Sequence, residues 1–392
     1  MKNVYLVSYS RSAFTRAHPY KQEIDLFADI SGDQLLAQLI NHQLKEGNFS
    51  GEEVDDLSIG CALQVKEQWS FGGRYPILLS QLGDQCASRS IEQQCGSGLA
   101  ALRFSALNIA SGAADIAMAA GYEHMTRVPM GPSLFEQGIL QVPDINRYNS
   151  SYEMDVVMNM GLTAENLASS KHFSRIQMDK FSETSHQKAS IARDAGFFQG
   201  EIIPLINMNN LKVVKDACIR EETTAEKLSQ LKPAFKENGL ITAGNSSPLS
   251  TGAALIVLMS EEALLKTGMK PLARIVSIAD RGTKPEMMGQ GVIPAVEKAL
   301  NIAGLKANDI DFWEINEAFS VVPLYAQQYF NIKNKQLNIK GGALALGHPL
   351  GASGIRLAGT LARILISEES RYGCAAACIG GGQGIAMIIE RM

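Results

Sequence analysis

The residues able to do chemistry lie in a few small-residue turns. Cys95 sits in Gln94-Cys95-Gly96-Ser97-Gly98, where a strand gives way to a helical pattern. A thiol there faces the unpaired N–H groups that open a helix, which lower its pKa and can hold an oxyanion. The same position also suits an inert packing cysteine, so the neighbours decide. His348 lies within Gly341 to Gly354, read as GGALALGHPLGASG. Glycines strip side chains from around this imidazole and Pro349 fixes the turn, which fits a base or oxyanion donor as well as a buried core histidine. Cys378 closes the last apolar run, just before Gly380-Gly381-Gly382-Gln383-Gly384, so bare backbone N–H groups lie beside a second thiol. This run is no dinucleotide fingerprint, because a strand follows where a helix must begin, and no GxxxxGK[ST] phosphate loop occurs. Cys374, Cys378 and His348 match no structural zinc spacing, so no metal is expected. Asn316-Glu317-Ala318-Phe319 follows the strand Phe312 to Ile315, at the carboxyl end where α/β sheets place ligands; Asn316 there is a turn residue or the holder of a water.

These turns belong to an internal duplication with a period of about 256 residues. Val4 to Ser8 recurs as Ala273 to Ser277, and the helix Leu35 to Leu44 as Ile293 to Ala303. Cys95 to Leu99 recurs as Gly351 to Ile355, each opening a helix (Leu99 to Ile109; Ile355 to Ile366). Each helix feeds an apolar strand ending in glycine, Ile116 to Gly121 and Ala375 to Gly380. In the second copy the chain turns straight back into Ile385 to Ile389. In the first, the equivalent strand Ala253 to Met259 arrives only after about 130 further residues. The expected organisation is a first half over 1–121 plus 252–270, an inserted domain over 122–251, and a second half over 271–392. Each half reads as βαβαβαββ, the two packed back to back in a layered α/β body. The insertion carries one strong helix, Asp179 to Ala195, read as part of a lid or oligomerisation arm with a solvated face.

Composition narrows the partners. The chain has 392 residues, 46% hydrophobic and 19% charged, with a net charge of −4. Disorder is excluded, and no global field draws a nucleic acid. The six cysteines are too sparse for a disulfide framework and are expected to be reduced thiols. No apolar segment reads as a membrane span or a signal peptide, so a cytoplasmic location is the expectation.

The blocks around Cys95, Asn316, His348 and Cys378, in this order, closely resemble the thiolases. Met160-Gly161-Leu162-Thr163-Ala164-Glu165-Asn166 and Ile241 to Ser247 extend the resemblance over the whole chain. It implies an acyltransferase that cleaves 3-ketoacyl-CoA with CoA through an acyl-cysteine, or runs the Claisen condensation in reverse. By position Cys95 is then the nucleophile, activated by His348, and Cys378 the acid/base. His348 and a water on Asn316 meet the enolate oxygen, and backbone N–H groups of Cys95 and Gly380 meet the thioester oxygen. The inserted domain covers CoA, with Arg220, Ala243 and Ser247 as contacts and Met160, Phe235, Met288, Ala318 and Phe319 around the acyl group. Lys212 and Lys215 add local cations. Coenzyme A is a co-substrate and no cofactor is held permanently. A homodimer or homotetramer is implied, and association with a hydratase/dehydrogenase subunit of a β-oxidation complex. Where many members read Asn-Asp-Gly this chain has Ser250-Thr251-Gly252, and where short-chain biosynthetic members carry a His it has Asn159. With Glu123-His124-Met125 and Arg220 to Thr224, these point to the degradative 3-ketoacyl-CoA type. The alternative is an acetoacetyl-CoA thiolase; a decarboxylating ketoacyl synthase would want a second histidine where Asn316 stands, and a non-catalytic lipid carrier would not need two thiols.

Overall fold

The structure, a computed structural model, describes residues 2–131, 134, 136, 138 and 151–392; the rest of the expected insertion lies outside the described residues. The strands in chain order are β1 (Tyr5–Arg11), β2 (Thr15–Arg16), β3 (Asp56–Gly60), β4 (Ala87–Ile91), β5 (Ile116–His124), β6 (Leu205–Ile206), β7 (Lys212–Val213), β8 (Ser250–Met259), β9 (Ala273–Gly282), β10 (Phe312–Ile315), β11 (Tyr372–Ile379) and β12 (Gln383–Arg391).

The duplication is visible in the pairing. In the first half β1 and β5 flank β8 antiparallel, and β3 runs parallel between β5 and β4. In the second, β9 and β11 flank β12 antiparallel, and β10 runs parallel to β11. The counterpart of β4 shrinks to one parallel bridge, Trp313 to Leu337. The halves join edge to edge through two residue pairs, Tyr5 with Arg274 and Leu6 with Ala273.

The central strands β5 and β8 are buried along their whole length, so apolar cover is needed on both faces. The halves do not pack sheet on sheet. Between them lie two helices, Ser97–Ser111 and Leu350–Ser367; the second touches β5 and β8 of one half and β10 and β11 of the other. It is the one helix, among the described residues, long and apolar enough to cross a membrane, and it is almost wholly buried inside the protein. The two helices approach through glycine: a Cβ on Gly98 would meet the Gly351 carbonyl and the Gly354 amide. Outside, Gly32–Glu46 covers β1, β5 and β8, while Val292–Ala303 covers β9, β11 and β12. Ser31 and Gln34 close a capping box on the former.

The helix expected over Asp179 to Ala195 runs Arg175–Asp194, with a buried face opposite its solvated one. That face carries Asp179, Ser182, Ser185 and His186 beside Ala189 and Ala192, and Ser185 Oγ donates to Glu317 of the second half (2.6 Å). A buried ionic knot fixes the stretch after β7. Arg11 donates from Nε to Glu201 (2.8 Å) and from both terminal nitrogens to Asp216 (2.7 and 2.8 Å). All three side chains are essentially inaccessible, so removing one would strand buried charge.

Candidate active site

Cys95 stands four residues past the end of β4 in a single 3-10 turn, Gln94–Gly96, that opens the helix Ser97–Ser111. Gln94 takes φ +46°, a left-handed conformation unusual for a side-chain-bearing residue. Ser97 holds it there: its Oγ accepts from Gln93 N (2.9 Å) and donates to Gln94 O (2.7 Å). The thiol faces its own backbone N–H and that of Gly380. Burial pushes its pKa up to about 11, against the pull of those two N–H groups, and the Glu123 carboxylate adds to the rise. Cys95 and Gly380 thus place two donors where a developing oxyanion would be held.

Cys378 is the next-to-last residue of β11 and is fully buried. Burial raises its pKa far above the usual thiol range, and the neighbouring Cys95 sulfur raises it further. The other four thiols, Cys61, Cys86, Cys218 and Cys374, are also free and buried.

His348 is 4% exposed and its protons can be assigned from its partners. Ser353 Oγ donates to Pro349 O (2.8 Å), so it accepts from Nδ1 (2.6 Å) and leaves Nε2 as the ring's acceptor. Asn316 Nδ2 donates to Nε2 (3.1 Å). Burial drives the imidazole pKa down to about 3, and the Arg356 guanidinium, paired with Glu314 at 2.6 Å, acts in the same direction. The ring is therefore neutral at physiological pH, and its Nε2 lone pair accepts from Asn316 Nδ2. Asn316 Oδ1 is buried and has no partner among the described residues, which leaves a carbonyl oxygen free to accept from a water or ligand.

Cys95, Cys378 and Gly380 thus come together beyond β4 and at the end of β11, and the His348–Asn316 pair lies at the end of the neighbouring β10. Met160 joins them, its Sδ lying against Gly380 and Gln94's neighbourhood. A second group forms beside it: Phe235 stacks edge-on to Phe319 (6.0 Å) and covers Gly161, while Ser247 N donates to Ala318 O (2.9 Å). Met288 is only 1% exposed and packs in the same core as Cys378, Ala318 and Phe319. Ala243 and Arg220 are exposed, and among the described residues no contact ties the Arg220 side chain to the thiols; its backbone N–H donates to His186 Nδ1 (3.1 Å).

Sequence reasoning missed several supports. Ala17, Ala62, Met125 and Leu350 form the apolar cluster around Cys95. Glu317 pins the loop after β10 by accepting from Ser185, Asn338 Nδ2 (2.8 Å) and Leu344 N (3.1 Å). Its adjacency to Asn316 was the available signal. Asn159, read only as a departure, caps the helix Met160–Ser170 by accepting from Gly161 N and Leu162 N.

Residues 4–262 match the family model for the N-terminal domain of thiolase, and residues 269–391 the model for its C-terminal domain. A 3-ketoacyl-CoA thiolase of Marinobacter nauticus is 40% identical over 375 residues, covering 93% of this chain and 94% of that protein. An acetyl-CoA acetyltransferase of Escherichia coli is 36% identical, with both chains covered in full. Among solved structures, human mitochondrial 3-ketoacyl-CoA thiolase in complex with CoA superposes with a TM-score of 0.87 at 31% identity, covering 100% of this chain and 98% of that one.

Proposed function

The chain belongs to the thiolase family, and from that premise we infer that Cys95, Cys378, His348 and Asn316 are the groups with which it cleaves 3-ketoacyl-CoA. It is an acyltransferase that passes the shortened acyl group to CoA and releases acetyl-CoA. The observation that carries the assignment of roles is the convergence of two thiols, from opposite halves, with the Gly380 N–H at one of them.

Each step follows from the geometry. His348 Nε2, the ring's acceptor, takes the Cys95 proton as sulfur adds to the keto carbon. The C2–C3 bond then breaks and its electrons pass to C2 of the departing acetyl-CoA. The protonated Nε2 is now a donor, and with a water on Asn316 Oδ1 it meets the enolate oxygen. Cys378 protonates C2. Its thiolate next takes the proton of the incoming CoA thiol, CoA attacks the Cys95 thioester, and the Cys95 sulfur leaves and recovers its proton from His348. The thioester oxygen lies against the Cys95 and Gly380 N–H groups throughout. Arg220, Lys212 and Lys215, exposed cations without an ion pair among the described residues, are our candidates for the CoA phosphates, with Ser247 and Ala243 along the pantetheine arm.

The degradative reading is supported by Asn159 and Ser250-Thr251-Gly252 at positions that differ from short-chain relatives. Thiolysis of a medium-chain 3-ketoacyl-CoA is expected to exceed that of acetoacetyl-CoA in kcat/KM, by on the order of tenfold. A preference for the four-carbon substrate would favour the acetoacetyl-CoA thiolase instead.

We also propose self-association through β4. Its outer edge has no strand partner among the described residues, and Trp69 (54% exposed), Phe71 (56%) and Leu78 (65%) crowd the adjoining surface. An open edge beside exposed aromatics fits a second copy of the same chain about a two-fold axis. Sedimentation velocity is expected to give a dimer or tetramer that Trp69→Glu with Phe71→Glu dissociates; a monomeric wild type would refute this. Six free thiols go with a reducing cytoplasm, and a hydratase/dehydrogenase partner remains part of the proposal, to be sought by co-purification.

A further inference from the structure

Cys95 and His348 come from different halves, so something must set their separation. The sheets meet through only two residue pairs, far along β1 from the site. Near the site, two side chains on β5 and β8, strands of the first half's sheet, cross to the second half, and the steps above use neither of them. Ser250, the first residue of β8, accepts from His348 N through Oγ (3.2 Å) and donates to Pro248 O (2.8 Å). Glu123, next to last in β5, accepts from Gly351 N through Oε2 (3.0 Å).

The same two residues also reach the wall around Cys95. Glu123 Oε2 accepts from Ala62 N (2.9 Å), and Oε1 from Leu63 N (3.2 Å) and Gln68 Nε2 (2.9 Å). Ser250 N donates to Met125 Sδ (3.3 Å). Ala62, Met125 and Leu350 are the apolar neighbours of Cys95. One end of the His348 turn is therefore fastened to Met125 and the other to Ala62, so the imidazole and the nucleophile share a frame.

Glu123 is fully buried, and its described partners are N–H donors and the Cys61 thiol (3.7 Å), with no cation among them. Four N–H donors around one carboxyl group use its four lone pairs, which an amide could not match. Gly351 also lies in the first turn of Leu350–Ser367, where a carboxylate is favoured by the helix dipole. Both features mark a built joint rather than an incidental buried acid.

We propose that Ser250 and Glu123 are positioning residues, fastening the His348–Gly351 turn at both ends to the half that carries Cys95 and so setting the imidazole against the nucleophile. This rests on the thiolase reading, whose own test is turnover by the wild-type enzyme. If wild type fails to cleave 3-ketoacyl-CoA, that reading fails and not the joint.

The first variant is Ser250→Ala, which removes one oxygen and leaves the buried His348 N–H without its acceptor. Its kcat is expected to fall on the order of tenfold while KM for CoA stays within about twofold, because CoA contacts are untouched. Alkylation of Cys95 by iodoacetamide, which needs no bound substrate, is expected to slow in parallel, and Ser250→Thr, which keeps the hydroxyl, to recover both. Glu123→Gln is the second variant and is expected to show the same split with a lowered melting temperature. Ser250→Ala with kcat and alkylation within twofold of wild type would overturn the proposal. So would kcat and KM shifting together with no recovery by threonine, since that is the signature of packing alone.

Discussion

A Cys95→Ser enzyme is expected to cleave 3-ketoacyl-CoA at least about a thousandfold more slowly than wild type. The two oxyanion N–H groups remain, so binding survives, but the nucleophile does not. A serine hydroxyl is far less acidic than a thiol, and the base assigned to it is an imidazole whose pKa is held at about 3. Mass spectrometry of wild type mixed with 3-ketoacyl-CoA, CoA withheld, should show an acyl adduct on Cys95, and the variant none. Normal thiolysis by Cys95→Ser, or an adduct elsewhere, would sink the assignment. The sign of the pH dependence follows from the same environment. Burial raises the Cys95 pKa to about 11, so the free enzyme holds the thiol protonated at neutral pH. Alkylation should then climb about tenfold per pH unit from pH 7 towards 10 without levelling off. A plateau near pH 7 would mean a preformed thiolate.

Cys378→Ala should cost a comparable factor by a different route. It removes the acid that protonates C2 and the base for the CoA thiol, yet leaves Cys95, His348 and the N–H pair in place. Cys95 should therefore still be alkylated, and melting should shift little for the loss of one buried sulfur. Exchange of the acetyl-CoA methyl protons with deuterated solvent, expected in wild type, should vanish. If exchange persisted, the proton at C2 would be handled by another group. A protein that only carried lipids would lose nothing measurable in either variant.

The duplication was legible because it is written in long apolar runs. β5 begins at Ile116 as the sequence places it but runs on to His124, past the expected Gly121, while β11 begins earlier than expected, at Tyr372, and ends at Ile379 beside the expected glycine turn. The site turns were legible because Gly, Pro, Cys and His are rarely brought together without cause. Helix starts were less so: the helix expected from Ile355 begins at Leu350, since Gly351, Ser353 and Gly354 have weak intrinsic propensity and are held helical by burial between the sheets. The joint residues were not legible at all. Ser250 and His348, or Glu123 and Gly351, lie far apart along the chain, and no local periodicity encodes a side chain that reaches across a domain boundary. The pairing of Arg11 with Asp216 and Glu201, far along the chain, was equally invisible to local pattern.

The two halves also close at different moments. β12 follows β11 after a turn of three glycines, so the second sheet can form its central pair as soon as both strands exist. β8, which lies between β1 and β5, begins only at Ser250, well after β5 ends at His124. Until that strand leaves the ribosome, β1 and β5 each present an unpaired apolar edge, and joining them closes a loop of over a hundred residues. The half that carries the nucleophile is thus the one that waits longer with open edges in biosynthesis, although it is translated first.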